Sequence, residues 1–170
     1  MPKDMRDLYF SDVATKISIA HRLFKASGAR LKADSAVKEK LMLLVRLTDI
    51  LQKQMRSMGM FELCGTCGSG PDGGCCSAEM ANESDAVLLF MNMLLDCEVA
   101  IRRDDDFECC FLGERGCTLI LKPIFCLNYN CEKIMVGSQK EDLAKLETAT
   151  ARLLGEQTIF ENMILQSGLL

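Results

Sequence analysis

The chain has 170 residues, enough for one domain with a real core, and its composition is globular: 49% hydrophobic, 26% charged, without tryptophan. A net charge of −4 and a pI ≈ 5.1 argue against a nucleic-acid-binding surface. Charges interrupt every apolar run short of the roughly 18 residues that a membrane span needs.

The first residues, Met1-Pro2-Lys3-Asp4-Met5-Arg6-Asp7, carry acidic side chains and no apolar centre. No secretory signal is expected there, and a cytoplasmic protein is the simplest reading. Over residues 4–25, Met5, Leu8, Tyr9, Val13, Ile17, Ala20, Leu23 and Phe24 recur at helical spacing. They predict one amphipathic helix ending near Ser27-Gly28, where glycine accepts a left-handed cap. The only histidine, His21, lies on it and reads as a surface or satisfied structural residue rather than a ligand.

Asp34 or Ser35 caps a second helix, which runs to about Met58 before Gly59. Its stripe of Val37, Leu41, Leu44, Val45, Thr48, Leu51, Met55 and Met58 is widened by Met42, Leu43, Leu47 and Ile50. So broad a face predicts burial on two sides. The short connection makes the two helices antiparallel neighbours.

Ser84-Asp85 starts a third helix through residues 87–95, apolar nearly all round and so the expected centre of the core. Cys97, at its end, reads as a small packing hydrophobe. Between Glu98 and Leu121 the pattern changes. Val99 and Ile101 alternate with charges, then Arg102-Arg103-Asp104-Asp105-Asp106 gives a polar turn before Phe107, which predicts a small hairpin. The three aspartates read as a solvated turn, because hard-metal sites need carboxylates spaced round a loop. Finally, Ser138-Gln139-Lys140-Glu141 has the form of a capping box. It opens a helix carrying Leu143, Leu146, Leu153, Leu154, Phe160, Met163 and Ile164, with Gly155 weakening its middle. The eleven methionines mostly sit in such stripes, where they fill gaps.

Ten cysteines exceed ordinary usage, and nine are clustered. The first block is Cys64-Gly65-Thr66-Cys67, a loop Gly68-Ser69-Gly70-Pro71-Asp72-Gly73-Gly74, then Cys75-Cys76. The second is Cys109-Cys110, Cys117, Cys126 and Cys131. In a reducing compartment such a framework points to metal or redox chemistry rather than disulfides. Thiolates are soft ligands, and both zinc and iron–sulfur centres commonly take four. Two residues between Cys64 and Cys67 let one turn aim both sulfurs at one ion. The adjacent pair Cys75-Cys76 suits two nearby centres, or one ligand and a neighbour, since successive side chains diverge in extended chain. A thioredoxin-like pair normally follows a strand, whereas Cys64 follows a helix. Arg102, Arg103, Arg115, Lys122 and Lys133 surround the second block, either as hydrogen-bond donors to sulfur or as plain solvated charge.

These residues resemble the cysteine-cluster family described as zinc- or iron-chelating domains. That family carries Cys-x-x-Cys-x-x-Cys-Cys, then Cys-Pro-Phe-Leu, then a cysteine, an Arg-Pro step and two final cysteines. Cys64, Cys67, Cys75 and Cys76 match the first motif, and Cys109-Cys110-Phe111-Leu112 the second, with Cys110 in the place of proline. Cys117, Lys122-Pro123, Cys126 and Cys131 match the rest, with lysine for arginine. The resemblance covers residues 64–131. It departs in the seven residues between Cys67 and Cys75, where the family has two, and in a Cys117–Pro123 spacing one residue short. It implies metal bound by Cys64, Cys67, Cys75, Cys76, Cys109, Cys117, Cys126 and Cys131. One branch is associated with methylation of flagellin lysines and iron–sulfur chemistry.

The sequence thus predicts a mainly α protein, its helices packed around an irregular, metal-organised cysteine core with one short β-hairpin. Residues 1–170 form a single domain: an N-terminal helix pair (1–60), a cysteine-cluster core (61–136) and a C-terminal helix (137–170). The expected function is to hold zinc or an iron–sulfur cluster in a structural or accessory role, with no nucleic-acid or membrane partner. An iron–sulfur redox or lysine-methylase-related enzyme is the first alternative, and a metal carrier or sensor the second. No acid–base pair, nucleotide loop or S-adenosylmethionine-type glycine motif supports autonomous catalysis.

Overall fold

The computed structural model describes residues 6–68, 74–103, 107–114, 116–128 and 130–166, with backbone only for 65–68. The expected loop through 69–73, the aspartate turn at 104–106 and Arg115 lie outside the described residues. The chain is mainly α. In order come α1 (Arg6–Phe10), α2 (Val13–Ala33), α3 (Ser35–Ser57), α4 (Met60–Gly68), α5 (Ala78–Asn82) and α6 (Ala86–Leu94). The hairpin strands β1 (Leu112–Gly113) and β2 (Gly116–Cys117) follow, then α7 (Ile124–Asn128), α8 (Glu132–Gly137) and α9 (Lys140–Gln166).

The first helix expected from the sequence is two. Asp12 stops α1 and caps α2, its carboxylate accepting from the Thr15 N–H at 2.8 Å. The second helix then runs straight through Ser27 and Gly28. Gly28 is a packing residue, not a cap: a Cβ there would lie 2.7 Å from the Phe24 ring. The true end is Asp34, whose side chain accepts from Ala36 and Val37 and so caps α3 with no residue between the helices to spare. The third helix ends at Met58, and Gly59 takes the left-handed conformation (φ 66°).

All nine residues of α6 are buried, with Asp85 as its cap. It packs on α2 and also meets α1 and α9, while α3 packs on α9. A contiguous apolar core results, with Phe24 edge-on to Phe90 at 6.5 Å between centroids. The broad stripe of α3 meets both α2 and α9, as expected, although Met42, Val45 and Ile50 at its margin remain exposed. The hairpin is present, but not across 104–106: Leu112 pairs with Cys117 and Gly113 with Gly116. Around 102, the carbonyl of Cys110 instead accepts the Arg102 N–H at 2.7 Å.

Several polar groups in this core have partners, whereas Thr48 Oγ1 and Gln157 Oε1 are buried without one. Lys16 is 2% exposed, and its ammonium donates to the Asn82 carbonyl at 2.6 Å. Desolvation lowers its pKa, opposed by the charges of Asp85, Glu83 and Asp12. Burial raises the carboxyl of Asp85 above the ordinary aspartate value, with the Leu88 N–H pulling the other way. His21 is exposed, and its Nε2–H donates to the Val99 carbonyl at 3.0 Å, the structural role expected of it. No helix among the described residues is long and apolar enough to cross a membrane.

Candidate functional site

The two cysteine blocks meet through backbone. The Cys109 N–H donates to the Cys76 carbonyl at 2.9 Å, and the Ala78 N–H to the Phe107 carbonyl at 3.0 Å. Between them Ser77 and Glu108 form an antiparallel bridge. Segments separated by some 30 residues of sequence thus run side by side, with a cysteine of each block at the junction.

The second block is tied to the core by one side chain. Asn92, fully buried in the last turn of α6, accepts from the N–H groups of Ile120 (2.8 Å) and Leu121 (2.9 Å). Its amide donates back to the carbonyls of Leu121 (2.9 Å) and Leu88 (3.0 Å). Every polar capacity of the buried amide is used. Gln157 of α9 adds a bond to the Lys122 carbonyl at 3.1 Å. The residues just after Cys117 and just before α7, which carries Cys126, are therefore fixed to the hydrophobic core. Neither residue was singled out from sequence, although an asparagine inside an otherwise apolar helix is a signal that could have been used.

The cysteines divide by setting. Cys64 lies exposed on α4, with Cys67 one turn on, its side chain outside the described residues. Cys75, Cys76 and Cys126 are exposed, Cys109 and Cys110 buried, and Cys117 and Cys131 intermediate. Cys131 occupies the cap position of α8 without a capping bond from its thiol. Cys97 is half-buried, and its thiol donates to the Thr118 carbonyl at 3.3 Å, as befits a packing residue.

Seven thiols, those of Cys75, Cys76, Cys97, Cys109, Cys110, Cys117 and Cys126, lie near enough for charge on one to bear on another. The Cys76 thiol donates to Cys75; this bond first of all lowers Cys75 to about 6 and raises Cys76 well above the usual range. Desolvation and the charges of Cys75, Cys109 and Cys117 raise Cys76 further. Cys126 is pushed up to about 12 by burial first, then by Cys117 and Cys109, against the pull of Lys122. Burial and Cys117 raise Cys109, despite the Phe111 N–H. Cys110 is pushed up to about 11 by burial, Cys109 and Cys117. Cys75, Cys76, Cys109, Cys110, Cys117 and Cys126 thus bear on one another's ionisation, while Cys64 lies midway along α4 and Cys131 caps α8. Among the described residues, no three histidine, cysteine or carboxylate side chains are arranged ready to hold an ion.

The basic residues of the block are mostly committed. Arg103 pairs with Glu108 and donates to the Leu112 carbonyl at 3.0 Å, and Arg102 pairs with Glu98 at 2.6 Å. Both line an open cavity of about 700 Å³ that reaches the hairpin and Cys117. Chemically, the site offers crowded soft donors in a setting that penalises their charge. Compared with known proteins, the chain matches no family model, no curated protein and no solved structure.

Proposed function

We propose that the chain is a cytoplasmic metal-binding protein whose two cysteine blocks hold zinc or an iron–sulfur cluster. The supporting observation is the backbone pairing of 76–78 with 107–109, which sets the Cys76 and Cys109 backbones side by side. The donor set fits a soft cation. Cys76, Cys109 and Cys126 resist ionisation because each lies in a partly desolvated place near other sulfurs, and a bound cation removes that penalty. The ligands on this reading are Cys64, Cys67, Cys75, Cys76, Cys109, Cys117, Cys126 and Cys131, the set that the family resemblance implies. Of the pair at 109–110, Cys109 is the ligand, since its charge acts on both Cys76 and Cys126.

Each residue then has a task. Asn92 and Gln157 hold the segment between Cys117 and Cys126. Lys122 offsets part of the sulfur charge at Cys126. A bound ion or cluster supplies positive charge and, as iron–sulfur, an electron store. The exposure of Cys64, Cys75, Cys76 and Cys126 supports a second reading, a carrier or sensor whose ion is passed to a partner.

Anaerobic purification followed by metal analysis and a visible spectrum tests the proposal. One or more equivalents of zinc, or a brown iron–sulfur chromophore, is expected; a chain without metal after reconstitution with either would overturn it. Serine at Cys109 or Cys126 should lower metal content, while serine at Cys97 leaves it unchanged.

A further inference from the structure

The outer sides of α3 and α9 leave an apolar groove of about 360 Å³ between them. The helices run antiparallel, since Gln54 meets Asp142 and Lys40 meets Glu156. Leu47 and Ile50 form the α3 wall, and Ala144, Thr148 and Ala149 the α9 wall. Short side chains on α9 keep the groove open, and Ile50 is 50% exposed beside it. None of the lining residues is a cysteine, so the groove is separate from the proposed metal site.

The charge lining it is of one sign. Lys145 and Arg152 are the charged residues of its edge, two helical turns and so about 10 Å apart along α9. Arg152 has no ion pair among the described residues, and Lys145 has a long one with Asp142, at 3.5 Å. Arg46, one turn before Ile50 on α3, is exposed and likewise unpaired among the described residues. Of the nearby carboxylates, Asp49 is taken by Lys53 at 2.7 Å, and Glu141 lies one turn before Lys145, outside the lining. Basic side chains therefore edge an apolar groove on a chain of net charge −4.

We propose that the α3–α9 groove is a docking site for an acidic amphipathic helix of another protein. A groove between two antiparallel helices is complementary to a third, which lays apolar side chains into it at i, i+3, i+4 and i+7. The cations set the partner's charge pattern: carboxylates about one heptad apart, beside the apolar stripe, facing Lys145 and Arg152. A second copy of this face would instead bring like charges together, which is costly across an interface. A flat bilayer would meet the edges of the groove and leave its floor unfilled.

The test selects a displayed library of amphipathic helices, with a fixed apolar stripe and random flanking positions, on the full chain. Enriched peptides should carry Glu or Asp about one heptad apart, and their binding, read by fluorescence anisotropy, should weaken as salt is raised. Arg152→Glu and Ile50→Glu should each weaken it by about tenfold or more, the first by reversing a paired charge and the second by charging the apolar wall. Arg22→Glu, exposed on α2, should leave it unchanged. Peptides with lysine in place of the selected carboxylates should bind the Arg152→Glu variant better than the parent. Should Ile50→Glu misfold, this charge exchange still decides the matter. No enrichment, enriched peptides without acidic residues, or affinity untouched by Arg152→Glu would each overturn the proposal. So would capture of phosphatidylglycerol vesicles that Arg152→Glu abolishes, which would make the face a membrane surface. A dimer in sedimentation that Ile50→Glu dissolves would equally overturn it, by making the occupant a second copy.

Discussion

The helical part and the cysteine part of this molecule are held by different forces. In α2, α3, α6 and α9 the apolar side chains meet one another, and Phe90, Leu89, Leu44, Leu153 and Phe160 are wholly or almost wholly buried. Between α6 and α9 the balance reverses: Phe107 is 84% exposed, Val136 79% and Phe125 59%, and the two helices described there have five and six residues. Such short helices do not sustain themselves by propagation. Their positions rest instead on a few hydrogen bonds, above all those of Asn92, and on the proposed reading also on metal. Apolar burial thus builds a frame, and polar ties hang the cysteine segments from it.

The sharpest way to break this comparison is a pair of neighbouring substitutions on α6. Phe90→Ala leaves a hole in the frame and should cost about 3–5 kcal/mol in denaturant unfolding. Asn92→Ala strands the Ile120 and Leu121 N–H groups away from water and should cost about 3 kcal/mol. The two should differ in kind. Limited proteolysis of the Asn92 variant should cut within residues 107–137 while the helical frame survives, and that of the Phe90 variant should cut throughout. Equal patterns would mean that the two parts unfold as one.

A pH experiment probes the frame alone. The Asp85 carboxyl is raised in the folded state, so its contribution is fully present below the unfolded value of about 3.9 and is lost as pH rises through the folded value. Asp85→Asn keeps an oxygen to cap Leu88 but cannot ionise. The variant should therefore gain on the parent as pH is raised from about 4 towards neutrality. Stability difference against pH is the measurement; a flat difference would show that Lys16 already compensates the charge.

Two helical glycines give the smallest effects, of opposite sign. A methyl at Gly155 meets nothing within 4 Å, so Gly155→Ala should stabilise by about 0.5–1 kcal/mol through backbone entropy. Gly28→Ala should instead destabilise, because the same methyl drives the Phe24 ring from its place against Phe90. Thermal melts of both variants check the pair.

These glycines also show where sequence was legible. The bounds of α3 and the all-buried α6 followed from periodicity and caps, whereas α9 followed from its apolar stripe alone: Ser138, read as its cap, ends α8, and the helix begins at Lys140. Gly28 was misread as a stop, since local pattern does not reveal the ring packed over it. Helices α5, α7 and α8 are too short to show a period, and α4 carries cysteines and glycines where a stripe would be read. The cysteines themselves were plain in the sequence, but their assembly was not. Ser77 and Glu108 pair through a single bridge, and nothing in their side chains announces it.

The packing of α3 on α9 has a further consequence. Gln54 bonds the Asp142 carbonyl at 3.2 Å, and Lys40 pairs with Glu156 at 2.6 Å, so the two ends of residues 58–139 are brought together. Everything between them is a closed loop, already spared much of the entropy that an open chain would lose in gathering distant groups. Within it the thiols meet as parts of one chain, at the effective concentration of an intramolecular encounter. On the proposed reading, a metal would therefore meet a chelate rather than a set of separate thiols, and releasing one sulfur would leave the others in place to recapture it.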